Sequence, residues 1–183
     1  MLYNVRQSYT PPLEAHEFNQ HALIIDTETV GTGASVEVVE VALCDFDGRV
    51  LLDSLVRPVY NPPPRSTALQ RFDRAEFDAA PDWTDIWPRV AALAENKLLV
   101  AYNAAFDRRA LAATCARDRL PLEAGRGWRC AMQLAKRVLG VKKNLLLSEA
   151  CARFGLEAGT HRAAQDVLAT HRLLQRLIAP EED

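Results

Sequence analysis

A chain of 183 residues and 20.4 kDa has the length of one domain. At that size folding buries about 70% of the unfolded chain's surface, enough for a core without covalent staples. With 49% apolar and 25% charged residues it is not a disordered chain. Its four cysteines, at 44, 115, 130 and 151, form no C-x-x-C pair, which excludes a disulfide scaffold and a cysteine zinc site. The net charge of −2 lacks the basic excess that usually marks nucleic-acid binding.

Residues 1–20 are polar, carry Pro11 and Pro12, and read as an N-terminal extension ahead of a domain spanning 21–180. They show no secretory pattern, and no apolar run in the chain has the length of a bilayer span. A reduced, cytoplasmic setting is expected. Ala22 to Ile25 is a short apolar run that ends at Asp26, the pattern of a strand covered on both faces. Val36 to Cys44 alternates Val39, Val41 and Leu43 against Glu40, Ala42 and Cys44, Asp45–Gly48 supplies a turn, and Val50 to Val56 returns, giving a three-stranded meander.

Pro58 to Pro64 is a proline-rich connection, and Asp73-x-x-Glu76 has the spacing of a capping box before a short helix. Trp83, Ile86, Trp87, Val90 and Leu93 recur at helical spacing, with Pro88 tolerable in a first turn. Leu98 to Ala101 reads as a second buried strand. Helices are expected over 104–116, 131–139, 145–154 and 163–178, with Gly140 and Gly155 closing two of them. Strands first, then strand and helix in alternation, imply an α/β domain with helices on both faces of a mixed sheet.

Asp26 and Glu28 are two residues apart on a strand, so their side chains share a face. By themselves they read as solvated acids at a strand end. Asn103 and Asp107 lie where the second buried strand enters a helix, Asn103 suited to cap it and Asp107 to complement its dipole. Asp166 falls beside the stripe of the last helix that faces the sheet, where an acid needs a partner. Five residues turn a helix by roughly 140°, so His161 shares no face with Asp166 and belongs to the preceding loop, free to reach the acids. His16, His21 and His171 have no such setting.

Four clustered carboxylates carry a charge of −4, which two divalent cations would balance, and hard oxygen ligands suit Mg²⁺ or Mn²⁺. Two such ions about 4 Å apart are a known device for in-line attack on a phosphodiester. A neutral histidine beside them can take the proton of the attacking water.

Three segments resemble the motifs of the DEDDh 3′–5′ exonucleases, a family that includes the proofreading subunit of bacterial replicative polymerase and ribonuclease T. They are Ile24–Thr29 (IIDTET), Val100–Asp107 (VAYNAAFD) and His161–Asp166 (HRAAQD). The sister subclass has Tyr four residues before the last Asp; here that position is Arg162, and His161 stands five before. The resemblance covers about residues 22–178 and implies a ribonuclease-H-like fold with a mixed five-stranded sheet. It also implies roles. Asp26 would bridge two metal ions, Glu28 and Asp166 would complete the nucleophile-side site, Asp107 would hold the other ion, and His161 would be the general base. Thr27, Thr29 and Asn103 match positions near the terminal nucleotide. Cys130–Ala135 resembles a structural segment before a main helix.

Leu69–Asp73 stands where many members carry His-Gly-Ile-Thr, and Val30 where Thr or Ser is usual. The sequence shows neither the long tail by which proofreading subunits hold their polymerase nor a clamp-binding peptide. A DNA polymerase or repair complex therefore stands as a partner beside a free-standing role, with single-stranded or 3′-end nucleic acid as substrate. The expected activity is metal-dependent release of nucleoside 5′-monophosphates, from DNA in preference to RNA. An exoribonuclease, an idle nucleic-acid-binding subunit and a small-molecule phosphatase are the alternatives. The basic pairs Arg108–Arg109, Lys136–Arg137 and Lys142–Lys143 read as solvated surface. Setting the four acids aside leaves 22 basic against 20 acidic residues, a mildly basic remainder that the total charge conceals.

Overall fold

A computed structural model describes residues 21–59, 74–122 and 124–178. The N-terminal extension, most of the proline-rich connection, Leu69–Asp73 and the capping position expected at Asp73 lie outside the described residues.

Five strands form one mixed sheet in the order β3-β2-β1-β4-β5. They are β1 (Ala22–Val30), β2 (Glu37–Asp45), β3 (Val50–Leu55), β4 (Leu98–Ala101) and β5 (Gly127–Cys130). β1, β2 and β3 are the antiparallel meander read from the sequence, while β4 and β5 run parallel to β1. The turn between β2 and β3 is closed by Asp45, whose Oδ1 accepts the N–H groups of Asp47 and Arg49, and by Gly48 at φ +82°. The helices are α1 (Arg74–Asp78), α2 (Trp83–Ala94), α3 (Ala104–Arg117), α4 (Ala131–Val138), α5 (Leu147–Arg153) and α6 (Ala163–Ile178).

The apolar run of β1 is continuous because both faces of the sheet are covered. Ile24, Ala42, Cys44 and Val100 pack against α4, α5 and α6. Leu23, Ile25, Leu43 and Leu99 pack against α2 and α3. Burying each such aliphatic side chain contributes about 1.5–3 kcal/mol, so these two layers hold the sheet between its helices.

The departures from the sequence reading have physical causes. β1 does not end near Asp26 but continues to Val30, because β2 pairs with it along that whole length. Pro88 lies in the second turn of α2; the helix survives the missing N–H because Trp83, Ile86, Trp87, Val90 and Ala94 are buried against the sheet. α5 starts at Leu147, two residues later than expected, since Leu146 is extended. Glu40, Ala42 and Cys44 alternate with Val39, Val41 and Leu43 as read, and both sets are buried because α6 covers the second face of β2. The short strand β5 has only four half-buried residues and no alternation, too little for its sequence to mark it as a strand.

Among the described residues no helix is long and apolar enough to cross a membrane. All four cysteines are free thiols.

Candidate active site

The site forms where β4 stops and β1 goes on. Parallel pairing of β1 with β4 runs over Ala22, Leu23 and Ile24, and at Tyr102 the chain leaves the sheet to enter α3. Beyond that point the backbone of β1 needs other partners for its polar groups. Asp107, in the first turn of α3, supplies one: its Oδ1 accepts the N–H of Thr27 at 3.1 Å and the Thr27 hydroxyl at 2.9 Å.

Alternation along β1 does the rest. Thr27 points with Ile25 to the α3 side, whereas Asp26 and Glu28 point with Ile24 to the α6 side. There α6 presents Asp166, buried in its first turn, and the preceding loop presents His161. Ligand atoms of Glu28, His161 and Asp166 all lie within 4.8 Å of one another. A cleft of about 260 Å³ is lined by these three together with Asp26 and Asp107, so all five residues singled out in the sequence share one cavity.

His161 is on the loop, as the spacing required, with its backbone in the left-handed region at φ +59°. A non-glycine residue there is strained, and such strain persists where surrounding contacts over-determine it. Gly159 sits against Asp166 so closely that a Cβ on it would lie 1.5 Å from Asp166 Oδ1.

The electrostatics follow from crowding. Burial raises the Asp26 carboxyl well above the usual range, and Asp107, Asp166, Glu28 and Glu40 raise it further. Burial also pushes Asp107 up to about 7, against the pull of the two Thr27 donors. These hard oxygen donors are mutually repelling when ionised, and divalent cations relieve that repulsion. The donor set therefore fits the Mg²⁺ or Mn²⁺ expected from the sequence.

The three secondary positions fare differently. Thr27 lines the cleft but is buried, with its hydroxyl committed to Asp107. Asn103 lines the cleft and precedes α3, yet its side chain makes no capping bond; its carbonyl receives the N–H groups of Phe106 and Asp107 instead. Thr29 follows a register shift after Glu28 and is not among the lining residues. Val30 is buried with Val39 and Phe77.

On the cleft's rim, Phe106 and Leu146 expose apolar surface, the latter at 67%. Leu146 is held in place by its neighbours: the Tyr102 hydroxyl donates to the carbonyls of Leu145 and Leu146, and Glu149 accepts the Leu146 N–H.

An exonuclease family model, RNase_T, matches residues 23–174, which include all three motifs and every acid of the cleft. The chain belongs to this exonuclease family. Exodeoxyribonuclease 10 of Escherichia coli K12 is 31% identical over 159 residues, 82% of this chain and 66% of the relative. An uncharacterized exonuclease, CP81, of Escherichia phage 186 is 39% identical over 87 residues, 48% of this chain and 45% of the relative. The chain thus spans less than two thirds of either relative's length. Exonuclease X in complex with 5′-overhanging duplex DNA shares the fold at TM-score 0.65 and 30% identity, over 86% of this chain and 90% of that one. The nuclease domain of 3′hExo, a DEDDh family member, reaches TM-score 0.72 at 16% identity, over 87% and 92% of the two chains. The exonuclease assignment and the ribonuclease-H-like mixed sheet both stand.

Glu40 is a further residue of the site's surroundings that no sequence motif marks. It lies opposite Glu28 in the β1–β2 register, is buried, and its two oxygens accept Arg162 Nε and the Ala163 N–H, each at 2.9 Å. Its flanking valines gave it the look of an outward polar residue on an alternating strand.

Proposed function

We propose that this chain is a metal-dependent 3′–5′ exonuclease that removes nucleoside 5′-monophosphates from single-stranded nucleic acid, DNA in preference to RNA. The observation that carries this reading is the convergence of Glu28, His161 and Asp166 within 4.8 Å in the cleft shared with Asp26 and Asp107. The DNA preference draws on the likeness, at about 30% identity, to a curated protein named an exodeoxyribonuclease and to a solved exonuclease bound to duplex DNA with a 5′ overhang. The 3′–5′ direction draws on the three motifs in order.

Asp26, Glu28, Asp107 and Asp166 would hold two divalent ions. When bound, such ions would supply charge neutralisation at the reacting phosphate and lower the cost of ionising water. The Asp26 carboxyl feels the charge of each of the other three acids. Thr27 fixes the orientation of Asp107 through two hydrogen bonds to one oxygen. His161, exposed on its loop, takes a proton from the attacking water as the new P–O bond forms. The bond from phosphorus to the 3′ oxygen of the penultimate nucleotide breaks, that oxygen is protonated from solvent, and the released mononucleotide keeps its 5′-phosphate. Phe106 and Leu146 offer apolar surface to the terminal bases, while Asn103 offers a polar group at the same rim.

The test is a set of matched DNA and RNA oligonucleotides in Mn²⁺, labelled at the 5′ end and, separately, at the 3′ end. A ladder of shortening 5′-labelled strands with immediate release of the 3′ label as a mononucleotide, faster on DNA, is the expected result. Immediate loss of the 5′ label contradicts the direction. Faster cleavage of RNA contradicts the substrate preference.

A further inference from the structure

We infer that Glu40 and Arg162 form a positioning pair for the cleft, a role that rests on the reading of His161 and Asp166 given above. Glu40 grips two consecutive residues of the loop–helix junction: the Arg162 side chain through Oε1 and the Ala163 backbone through Oε2, each at 2.9 Å. Those two residues stand between His161 and Asp166. The Arg162 carbonyl in turn accepts the Asp166 N–H at 3.0 Å and the Gln165 N–H at 2.9 Å. One carboxylate on β2 therefore tethers the start of α6 at the point where its first hydrogen bonds form. Its negative charge is also placed favourably, beside the positive end of a 16-residue helix.

The tether has a defined reference point. Glu40 is the direct cross-strand partner of Glu28, so the strand position facing one cleft acid holds the segment that carries the two groups meeting it within 4.8 Å. Backbone pairing sets Glu28 relative to Glu40, and the two bonds to Glu40 set residues 162 and 163. His161 and Asp166 follow from those. The grip is also sited where holding is needed, because His161 is at φ +59° and a strained residue relaxes unless its neighbours are fixed.

The pair also accounts for the fate of position 162. The Arg162 guanidinium is drawn to Glu40, whereas the adjacent His161 lines the cleft. Each Glu40 oxygen accepts one of these donors and Glu40 is not among the residues that line the cleft, so it acts through the loop, as a positioning residue and not as a fifth ligand. Outer partners of this kind typically change activity or metal affinity by about 10–100-fold when removed.

The experiment uses the full chain with Arg162→Ala, Arg162→Lys, Glu40→Gln and Asp166→Ala. It measures kcat and KM on a 5′-labelled single-stranded oligonucleotide at saturating Mn²⁺, Mn²⁺ affinity by calorimetry, and Tm. Arg162→Ala and Glu40→Gln are expected to lower kcat or Mn²⁺ affinity by about 10-fold or more, with KM for the oligonucleotide within about threefold and the folded population intact. Arg162→Lys, which restores the charge without the planar guanidinium, is expected to recover part of the loss. Glu40→Gln keeps an acceptor for the Ala163 N–H, so it is expected to fold.

Wild-type kcat and Mn²⁺ affinity in Arg162→Ala, beside an inactive Asp166→Ala, overturn the pair's role and leave the site reading intact. A drop in Tm alone, or a rise in KM alone, overturns it equally, since the first describes a structural contact and the second a substrate contact. Full activity in Asp166→Ala overturns the site reading itself.

Discussion

The backbone amide and the hydroxyl of Thr27 converge on a single oxygen of Asp107, at 3.1 and 2.9 Å, across 80 residues of chain. The contact replaces the sheet partner that β1 loses where β4 ends, and it ties the second motif to the first. Thr27 thereby favours the ionised form of a carboxyl that burial drives the other way, up to about 7. Thr27→Val removes the hydroxyl and keeps the amide. Losing one charge-assisted hydrogen bond costs roughly 1.5–3 kcal/mol, so the activity profile is expected to move to higher pH. At pH 7 the rate should fall roughly tenfold and be partly regained at pH 9. A pH–rate profile at subsaturating Mn²⁺, where protons and metal compete for Asp107, checks this; an unshifted profile contradicts it.

The same crowding makes the metal-free protein pH-sensitive in a defined direction. Folded Asp107 titrates at about 7 and folded Asp26 is also raised, each above its ordinary value. A carboxyl raised by folding binds protons more tightly in the native state than in the unfolded one. Its stabilising contribution is therefore complete below about pH 4 and is lost as pH rises through about 7. In EDTA, Tm is expected to fall by several degrees between pH 5 and pH 8, at about 2–4 °C per kcal/mol for a chain of this size. Excess Mn²⁺ should abolish the fall, because it binds the ionised native state. Asp107→Asn should flatten the metal-free profile. A Tm that is level from pH 5 to 8 in EDTA contradicts the proposed burial of these acids.

Gly159 leaves no room for a side chain. A Cβ there would meet Asp166 Oδ1 at 1.5 Å, its Cγ at 2.6 Å and its Cα at 3.0 Å. The backbone of Asp166 belongs to α6, so the loop and the carboxylate must yield. Gly159→Ala is expected to lower Mn²⁺-dependent activity by about 100-fold, the size of effect that a misplacement of about 1 Å produces. Circular dichroism and steady-state kinetics together separate this from unfolding. An alanine variant with wild-type kcat contradicts the packing described here.

Phe106 and Leu146 are offered as contacts to the terminal bases. Stacking on such surfaces contributes roughly 1–3 kcal/mol per base for an aromatic side chain. Phe106→Ala is therefore expected to raise KM for a single strand about 5- to 100-fold, and Leu146→Ala by a smaller factor. The lysine pair is expected to matter less: Lys142 and Lys143 are exposed, and Lys143 Nζ lies 3.9 Å from the Glu149 carboxylate. The salt dependence of KM in Lys142→Ala/Lys143→Ala protein measures that difference. A steeper loss from the lysines than from Phe106 contradicts this assignment of the rim.

Much of this was legible in the sequence because chemistry and fold leave their marks at the same places. The run ending in Asp26-Thr27-Glu28 reports a covered strand and two acids on one face. Asp107 and Asp166 report helix starts, and the five-residue step from His161 to Asp166 put the histidine on a loop. What escaped were features decided by neighbours far along the chain. Glu40 resembled a solvated strand residue until α6, more than 120 residues later, covered it. β5 offers only Gly-Trp-Arg-Cys, with too few residues for any periodicity. Pro88 contradicted a helix interior on local grounds, and burial of Trp83 and Trp87 prevailed. Thr27 matched a substrate position, whereas its side chain is spent on Asp107, a partner no local pattern could name.

The central claim is that the acids around Asp26 and the imidazole of His161 together hydrolyse the terminal phosphodiester. Its most direct test is the single-turnover rate of mononucleotide release from a single-stranded DNA in Mn²⁺, for wild-type, Asp26→Asn and His161→Ala proteins of equal folded content. No detectable release is expected from Asp26→Asn, and from His161→Ala a rate lowered by about 10²–10⁴, the usual contribution of a general base, with Mn²⁺ still bound. Release by Asp26→Asn or His161→Ala at the wild-type rate would contradict that claim.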